Sequence, residues 1–224
     1  MACGVTDPPP LFKPGIAVDA STRNDPPADL AHLREGVWDY LIVEGDNKGQ
    51  RVTQSLKFDA ANPVASWRRI ANSNNVIFHL RQEADGSVVL AASEILDHDV
   101  VNTFDPAPTI LMSPTALGGS LHTTSTVVTR LGNGLKFQVD HGTAEVDLTP
   151  GGAETVETPA GTFHCQRVDV RLRLKLGLSE AVSVSRIDLA DRVGIVAETH
   201  YETSTVLLMK STKRWRIVLV GYPK

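Results

Sequence analysis

Hydrophobic and polar residues alternate along most of the chain after about residue 37. A period of two places apolar side chains on one face of a β-strand and polar side chains on the other. Such a strand is predicted to be buried on one side and solvated on the other. In the clearest run, Val168, Val170, Leu172, Leu174 and Leu176 alternate with Arg167, Asp169, Arg171, Arg173 and Lys175.

Similar segments predict further strands along the rest of the chain. An Asp-Gly pair at 85–86 and an Asn-Gly pair at 133–134 favour tight hairpin turns, because both pairs tolerate positive φ. Looser turns are predicted at residues 46–49, 150–152 and 159–161. The predicted strands lie at residues 38–43, 52–58, 76–80, 88–95, 123–131, 135–139, 168–176, 182–189, 195–209 and 214–220.

Consecutive strands joined by short turns form an antiparallel meander. A sheet of about ten to twelve strands rarely stays flat, so it should curl into a half-barrel or a partly closed barrel. The predicted fold class is therefore mainly β, with a single curved antiparallel sheet. Because the sequence shows no internal repeat and no second composition regime, residues 25–224 are predicted to form one domain.

One short helix is predicted before the first strand. Asp25 can cap its N-terminus, and Pro26 suits the first helical position. Leu30 and Leu33 share one helical face, and Gly36 can end the helix. A helix of two to three turns would plug an open end of the sheet.

Residues 1–24 are predicted to be a tether rather than part of the domain. Their prolines, beginning with Pro8-Pro9-Pro10, favour an extended spacer that holds a domain away from an anchor. The triplet Ala2-Cys3-Gly4 resembles the end of a bacterial lipobox, in which the cysteine becomes the lipidated first residue of the mature protein. Cys3 is therefore the predicted lipidation site, on the periplasmic side of the bacterial cell envelope. A cytosolic chain that starts with this triplet is the alternative.

Composition narrows the function classes. Hydrophobic residues make up 42% of the 224 residues and charged residues 21%, as in an ordinary globular protein. The formal net charge is −4, so no global positive field favours nucleic acid, and none is predicted as a partner. The sequence also contains no apolar run of the roughly 18 residues that a membrane-spanning helix needs.

A proline-bounded apolar segment is the most informative loop. Ile110, Leu111 and Met112 lie between prolines that disfavour a central strand. Three large apolar side chains on a loop must either enter the interior or contact a partner. We expect them to help line a ligand cavity.

One predicted strand carries candidate metal ligands. Glu198, His200 and Glu202 share one face at a period of two, and these residue types bind Zn²⁺ or Mn²⁺. Residues two apart on a strand are separated by about 6.5 to 7 Å, however, which is too far for all three to reach one ion without help from a neighbouring strand. A solvated strand face is the alternative, and no metal or other cofactor is predicted.

A stripe of positive charge follows the polar face of the clearest strand. It could face phosphate head groups or an acidic polysaccharide. Cross-strand acidic partners would instead make it a solvated face of ion pairs. The stripe consists of Arg167, Arg171, Arg173 and Lys175, interrupted by Asp169.

Residues 154–168, ETVETPAGTFHCQRV, resemble a V-x-T/V-P-A-G-T-F-x-x-x-R-V hairpin of uncharacterised bacterial envelope proteins. Residues 191–196 partly match the G-V-G-x-V segment that opens the next strand in those proteins, and the loop at 105–114 is also similar. The resemblance runs over about residues 37–220. Family members are thought to form curved sheets like those of the lipoprotein carriers LolA and LolB. The resemblance implies an envelope location and lipid or lipoprotein handling, and it implies no catalytic residue.

These observations predict a non-catalytic envelope lipoprotein that binds or carries an apolar or amphipathic ligand in a concave β cavity. A structural lipoprotein that docks an envelope protein through its sheet edge or surface is the alternative, and a metal-dependent enzyme is a third reading. Its partners would be a lipid or other apolar ligand and, through Cys3, a membrane. The predicted cavity lining is Ile110, Leu111, Met112, Val170, Leu172 and Leu174.

Overall fold

A computed structural model describes most of the chain after the N-terminal segment. Cys3 and most of the predicted helix after Asp25 lie outside the described residues, and residues 33–35, at the end of that predicted helix, are not helical. The described residues are 33–58, 65–71, 74–113, 119–131, 137–177, 179–207 and 209–223.

The described residues form thirteen β-strands and one short 3-10 turn, at Leu96–His98. β-branched and alternating apolar residues favour strands throughout, which is why helix is almost missing from this part of the chain. The strands are β1 Gly36–Gly45, β2 Arg51–Phe58, β3 Ala65–Ala71, β4 Asn74–Gln82, β5 Val88–Ile95, β6 Val100–Asp105, β7 Thr109–Leu111, β8 Leu121–Leu131, β9 Phe137–Thr158, β10 Gly161–Leu176, β11 Ser179–Ala190, β12 Gly194–Val206 and β13 Met209–Gly221.

All thirteen strands belong to one antiparallel sheet. Its order is β4-β3-β2-β1-β13-β12-β11-β10-β9-β8-β6-β5-β7. Most consecutive strands pair and the first strand also pairs with the last, but β7 pairs with β5, and β6 with β8. The sheet curls far enough for β4, at one end of this order, to pair with β5 near the other end. The prediction of a single curved antiparallel sheet that forms a half-barrel or partly closed barrel is confirmed.

Several strand predictions need correction, among them the segment at 135–139, because its residues 137–139 are only the beginning of the 22-residue β9. β3 and β6 were not predicted, because the adjacent Arg68 and Arg69 interrupt the alternation in β3 and β6 is only six residues long. The segment at 195–209, predicted as one strand, is two strands that meet in a tight hairpin in which Val206 pairs with Met209. Leu207 adopts φ +48° in that turn, a conformation that favours Gly or Asn, so the sequence carried no turn signal there.

The turn predicted at residues 150–152 is wrong, because β9 runs through it. Val168 pairs with Pro150 and Arg167 with Gly152, so Gly151 is the extra residue of a β-bulge. β8 pairs with β9 only as far as Leu148, so Pro150, which has no N–H, lies where that edge of β9 needs no donor. The same residue types that signal a turn therefore produce a bulge in a long strand.

The core lies on the inner face of the curled sheet. Val168 is buried, as the alternation in β10 predicts, and it packs with Leu148, Leu189 and Met112. A second cluster forms around the seam of β1 and β13, where Tyr40 packs against Leu219 and other apolar side chains. Apolar burial of this kind supplies most of the driving force for the fold.

The outer face of β10 carries the charged stripe. Arg186 donates to Asp169 at 3.1 Å, while Arg173 and Arg167 lie 3.9 Å from Glu145 and Glu154. Ion pairs across neighbouring strands thus occupy the stripe, in agreement with the ion-paired reading of the sequence.

Candidate functional site

A cavity of about 270 Å³ lies inside the curled sheet. Strands from all round the sheet contribute to its wall, since alternate residues of each strand point inwards. Most of the lining is apolar and includes aromatic side chains, which suits an apolar ligand. The apolar lining residues are Leu33, Trp38, Tyr40, Leu56, Phe78, Leu80, Leu90, Phe104, Pro108, Ile110, Leu111, Val146, Val170, Leu172, Ile187, Leu189, Val193 and Ile195.

Most of the predicted lining residues lie at this cavity. Val170 and Leu172 of β10 line it, as do Ile110 and Leu111. Met112 lies behind the wall, buried in the core cluster with Val168. Leu174 follows on the same strand face but is not among the lining residues, because the cavity ends before it.

The segment that holds Ile110 and Leu111 is partly a strand and not only a loop. Thr109–Leu111 forms β7. It pairs with the first residues of β5, whereas β6 pairs with the last residues of the same strand. The carbonyl of Pro108 accepts a hydrogen bond from the amide of Leu90, so the proline joins the sheet through its one remaining polar group. This pairing places the apolar side chains against the cavity.

One part of the wall is polar. Ser185 of β11 pairs with His200 of β12, so the two side chains share one face of the sheet, and both line the cavity. The Ser185 hydroxyl lies 2.8 Å from Nδ1 of His200 and 3.5 Å from Oε1 of Glu198. The Glu198 side chain is buried, with a residue exposure of only 6%. These three side chains satisfy one another within a largely apolar enclosure.

Two further side chains lie close to the imidazole ring of His200. It stacks on the indole of Trp215, with ring centroids 4.6 Å apart and an angle of 13° between the planes. Its Nε2 lies 3.8 Å from Oε2 of Glu202. This close approach of His200 lowers the pKa of Glu202, so Glu202 is an ionised carboxylate at neutral pH.

The predicted shared face of Glu198, His200 and Glu202 is present, but it does not have the geometry of a metal site. Glu198 approaches Nδ1 of the imidazole, whereas Glu202 approaches Nε2, so the two carboxylates lie on opposite edges of the ring. One ion cannot contact all three side chains in that arrangement. Within the described ranges, no group of three or more His, Cys, Asp or Glu side chains is placed to hold a metal ion. The alternative reading of a solvated face is wrong for Glu198, which is buried.

Gln54 is a polar lining residue that the sequence analysis missed, as it also missed the residues contributed by β1, β2, β4 and β5. It lies on β2 between Val52 and Leu56, on the same inward face, and only 1% of it is exposed. Its Nε2 is buried and has no hydrogen-bond partner among the residues that the structure describes. A polar residue at an inward position of an apolar alternation was the available signal.

A different acidic pair lies on the other face of β11. Asp188 is buried beside Glu154, and burial together with the hydrogen bond between the two carboxyl groups raises the pKa of Asp188 to about 8. The thiol of Cys165 is buried nearby, and burial raises its pKa to about 12. Cys165 is therefore a core thiol and not a nucleophile.

The fold and the cavity define a curved antiparallel β protein with an apolar interior. No helix in the described part of the chain is long and apolar enough to span a membrane. No protein-family model matches the chain, and no curated protein matches it.

Three solved structures are similar to the chain. A candidate exported protein with a YmcC-like fold from Bacteroides fragilis NCTC 9343 is 15% identical, with a TM-score of 0.47 over 85% of this chain and 96% of that one. The hypothetical lipoprotein YmcC from Escherichia coli K12 is 10% identical, with a TM-score of 0.40 over 79% of this chain and 88% of that one. A candidate lipoprotein from Parabacteroides distasonis ATCC 8503 is 12% identical, with a TM-score of 0.35 over 89% and 97%.

Likeness at these values does not extend to function. None of the three descriptions names LolA, LolB or the hairpin at residues 154–168. The resemblance to the LolA and LolB carriers therefore stays a prediction.

Proposed function

We propose that this protein binds an apolar or amphipathic molecule, such as one acyl chain of a lipid, in the cavity inside its sheet. Binding would be non-catalytic, and the ligand would be carried or presented rather than converted. The observation that carries this proposal is the cavity itself, because a space enclosed by so many apolar side chains favours the transfer of an apolar group out of water.

The size of the cavity limits the ligand. At about 270 Å³, the cavity lies at the small end of ligand pockets, which run from about 300 to 1,000 Å³. That volume suits a single medium-length chain better than the several chains of a whole lipoprotein anchor. Apolar burial is non-directional, so the aliphatic lining alone would accept ligands of varied shape.

The location is proposed on the N-terminal sequence alone. Ala2-Cys3-Gly4 followed by a proline-rich spacer suits a lipoprotein anchored through Cys3 on the periplasmic side of the bacterial envelope. A tether of that kind would hold the cavity close to a membrane that contains its ligand.

A fluorescent apolar probe tests the proposal. N-phenyl-1-naphthylamine should bind the purified protein with a rise in fluorescence, and Leu172→Trp should weaken binding at least tenfold, because the indole would fill part of the cavity. Leu121→Trp is the control, since Leu121 is exposed and lies outside the cavity lining. Equal binding by the wild type and Leu172→Trp would show that the probe binds elsewhere and would remove the basis of the proposal.

A second candidate function, docking of an envelope protein, is favoured by one observation. The hairpin between β12 and β13 exposes apolar side chains at its tip, with Leu207 63% and Met209 72% exposed. Exposed apolar residues in a cluster are typical of contact surfaces. A photo-crosslinking residue at position 207 should then capture a defined partner in cells, while one at exposed Val37, on the opposite end of the sheet, should not.

A further inference from the structure

Gln54 is a buried amide in an apolar part of the cavity wall. It pairs across the sheet with Trp38 on one side, and Val52 and Leu56 flank it on its own strand face. Its Nε2 carries two N–H groups, and the structure gives this atom no hydrogen-bond partner among the described residues. Within the described part of the chain, this amide is therefore a buried donor without an acceptor.

Such a residue weakens the fold unless something else accepts its hydrogen bonds. An unsatisfied buried donor loses its contacts with water without replacement, and buried polar groups in proteins are nearly always paired. Leucine would fit the alternation of β2 and bury more apolar surface at the same position. Gln54 also lines the cavity, so a molecule in the cavity can reach it.

The polar cluster on β11 and β12 differs in this respect. Ser185 and His200 are joined by a short hydrogen bond, and His200 also stacks on Trp215. Those groups have partners within the protein and do not require a ligand. Two lining side chains, Gln54 and Arg34, have a buried N–H donor without a partner among the described residues. Arg34 is already anchored by a hydrogen bond from Nη2 to the carbonyl of Pro223, so Gln54 is the uncharged donor for which a ligand would supply the missing partner.

We propose that Gln54 selects a ligand with a hydrogen-bond acceptor inside the cavity, namely the ester carbonyl of an acyl chain, and discriminates against plain hydrocarbons. This inference rests on the proposed function, because it requires that a ligand occupy the cavity. A carbonyl oxygen accepts from Nε2 while the attached chain lies against the aliphatic wall. A hydrocarbon of the same size would leave the donor unpaired, and unpaired buried groups are a strong source of discrimination.

Two ligands of equal size measure this selectivity. Methyl octanoate and undecane have the same number of non-hydrogen atoms, and each can be titrated against the bound N-phenyl-1-naphthylamine probe. Gln54→Leu should weaken the displacement by methyl octanoate about tenfold, which corresponds to one good hydrogen bond. The same substitution should leave the displacement by undecane unchanged or make it stronger.

Further variants control for damage to the fold. Gln138→Leu makes the same chemical change at an exposed position outside the cavity lining and should alter neither titration. Gln54→Asn keeps a shorter amide and should lose only part of the preference for the ester, which a general loss of structure would not reproduce.

The outcomes separate the two proposals. If neither ligand displaces the probe from the wild type, the proposed function fails. If both ligands displace it and the ratio of their affinities is the same in the wild type and Gln54→Leu, the cavity binds ligands but the role of Gln54 is wrong. A ratio that shifts in Gln54→Leu and not in Gln138→Leu supports the inference.

Discussion

The cavity wall has two parts that are equally well enclosed but differ in their chemistry. On one side, β4 and β5 contribute Leu80 and Leu90, which pack in one apolar cluster. On the other side, β11 and β12 contribute Ser185, Glu198 and His200, whose side chains are linked by the hydrogen bonds of the Ser185 hydroxyl. The first part stabilises the fold by removing apolar surface from water. The second part stabilises it only as long as each polar group keeps its partner.

This difference shows why burial alone does not identify a binding residue. Ser185 and His200 are enclosed and polar, yet the protein itself occupies their hydrogen-bonding groups. Gln54 is more deeply buried and lacks a partner at Nε2 in the described structure. Whether a buried polar atom has a hydrogen-bond partner therefore says more about ligand binding than how exposed the atom is.

The largest change in stability is expected from a substitution in the apolar part of the wall. Leu80→Ala should lower the free energy of unfolding by about 3 kcal/mol, because it removes a large side chain that is only 2% exposed and enlarges the cavity. Urea unfolding at neutral pH measures this loss. Leu96→Ala, at an exposed leucine in the 3-10 turn, is the control and should change stability by less than about 1 kcal/mol. Equal losses would show that the apolar wall is not tightly packed.

A smaller loss of stability is expected from a substitution in the polar part of the wall. His200→Ala should lower the free energy of unfolding by about 2 kcal/mol, because it removes the hydrogen bond with Ser185 and the stacking on Trp215. His200→Phe keeps an aromatic ring on Trp215 and should recover part of the loss in the same urea experiment. A loss below about 0.5 kcal/mol for His200→Ala would mean that this cluster contributes no net stability.

Gln54→Leu is expected to stabilise the protein, in contrast to Leu80→Ala and His200→Ala. Replacing an unsatisfied buried amide with an apolar side chain should raise the free energy of unfolding of the ligand-free protein by about 1 kcal/mol. Thermal unfolding of the delipidated protein measures it, with Gln138→Leu as the matched change at an exposed site. A loss of stability in Gln54→Leu would indicate that the amide has a structural partner after all.

The smallest expected effect is the contribution of Glu202 to the pH dependence of stability. Its pKa is lower in the folded protein, chiefly because of its interaction with His200, so folding favours the carboxylate. The stability that this provides is present above the ordinary glutamate pKa of about 4.3 and is lost as the pH falls through the lower folded value. Unfolding of the wild type and Glu202→Gln should therefore converge in free energy between pH 6 and pH 3. Glu157→Gln, at an exposed carboxylate on β9, is the control, and a constant gap between wild type and Glu202→Gln would contradict the assignment.

The strand pattern was the part of the fold that could be predicted most directly. Alternation in β10 identified both a strand and its inner face, and Val168, Val170 and Leu172 lie on that face. The bulge at Gly151 and the hairpin at Leu207 could not be predicted, because both depend on how the neighbouring strands pair. Local sequence signals do not distinguish a turn from a bulge when the strand continues past it.

The same limit applies to the site. The shared face of Glu198 and His200 followed from their spacing, but their contact with Ser185 depends on the register between β11 and β12. Gln54 is more than 120 positions from Ser185, Glu198 and His200 in the sequence, so only the curled sheet brings it into the same cavity wall. A period of two predicts which side chains share a face, and the register decides which of them meet.

The seam between β1 and β13 has a consequence for the order of folding. Arg216 of β13 lies 3.3 Å from Glu44 of β1, although the two residues are 172 positions apart. Apart from the β5–β7 and β6–β8 pairs, the other paired strands are consecutive in the chain and joined by short connections. Those hairpins can form locally and early, whereas closing the long loop between β1 and β13 is entropically costly. During synthesis, one edge of β1 stays unpaired until β13, the last strand, has been made. We expect closure of this seam to be the late, rate-limiting step, during which the exposed edge is the chain's main aggregation hazard.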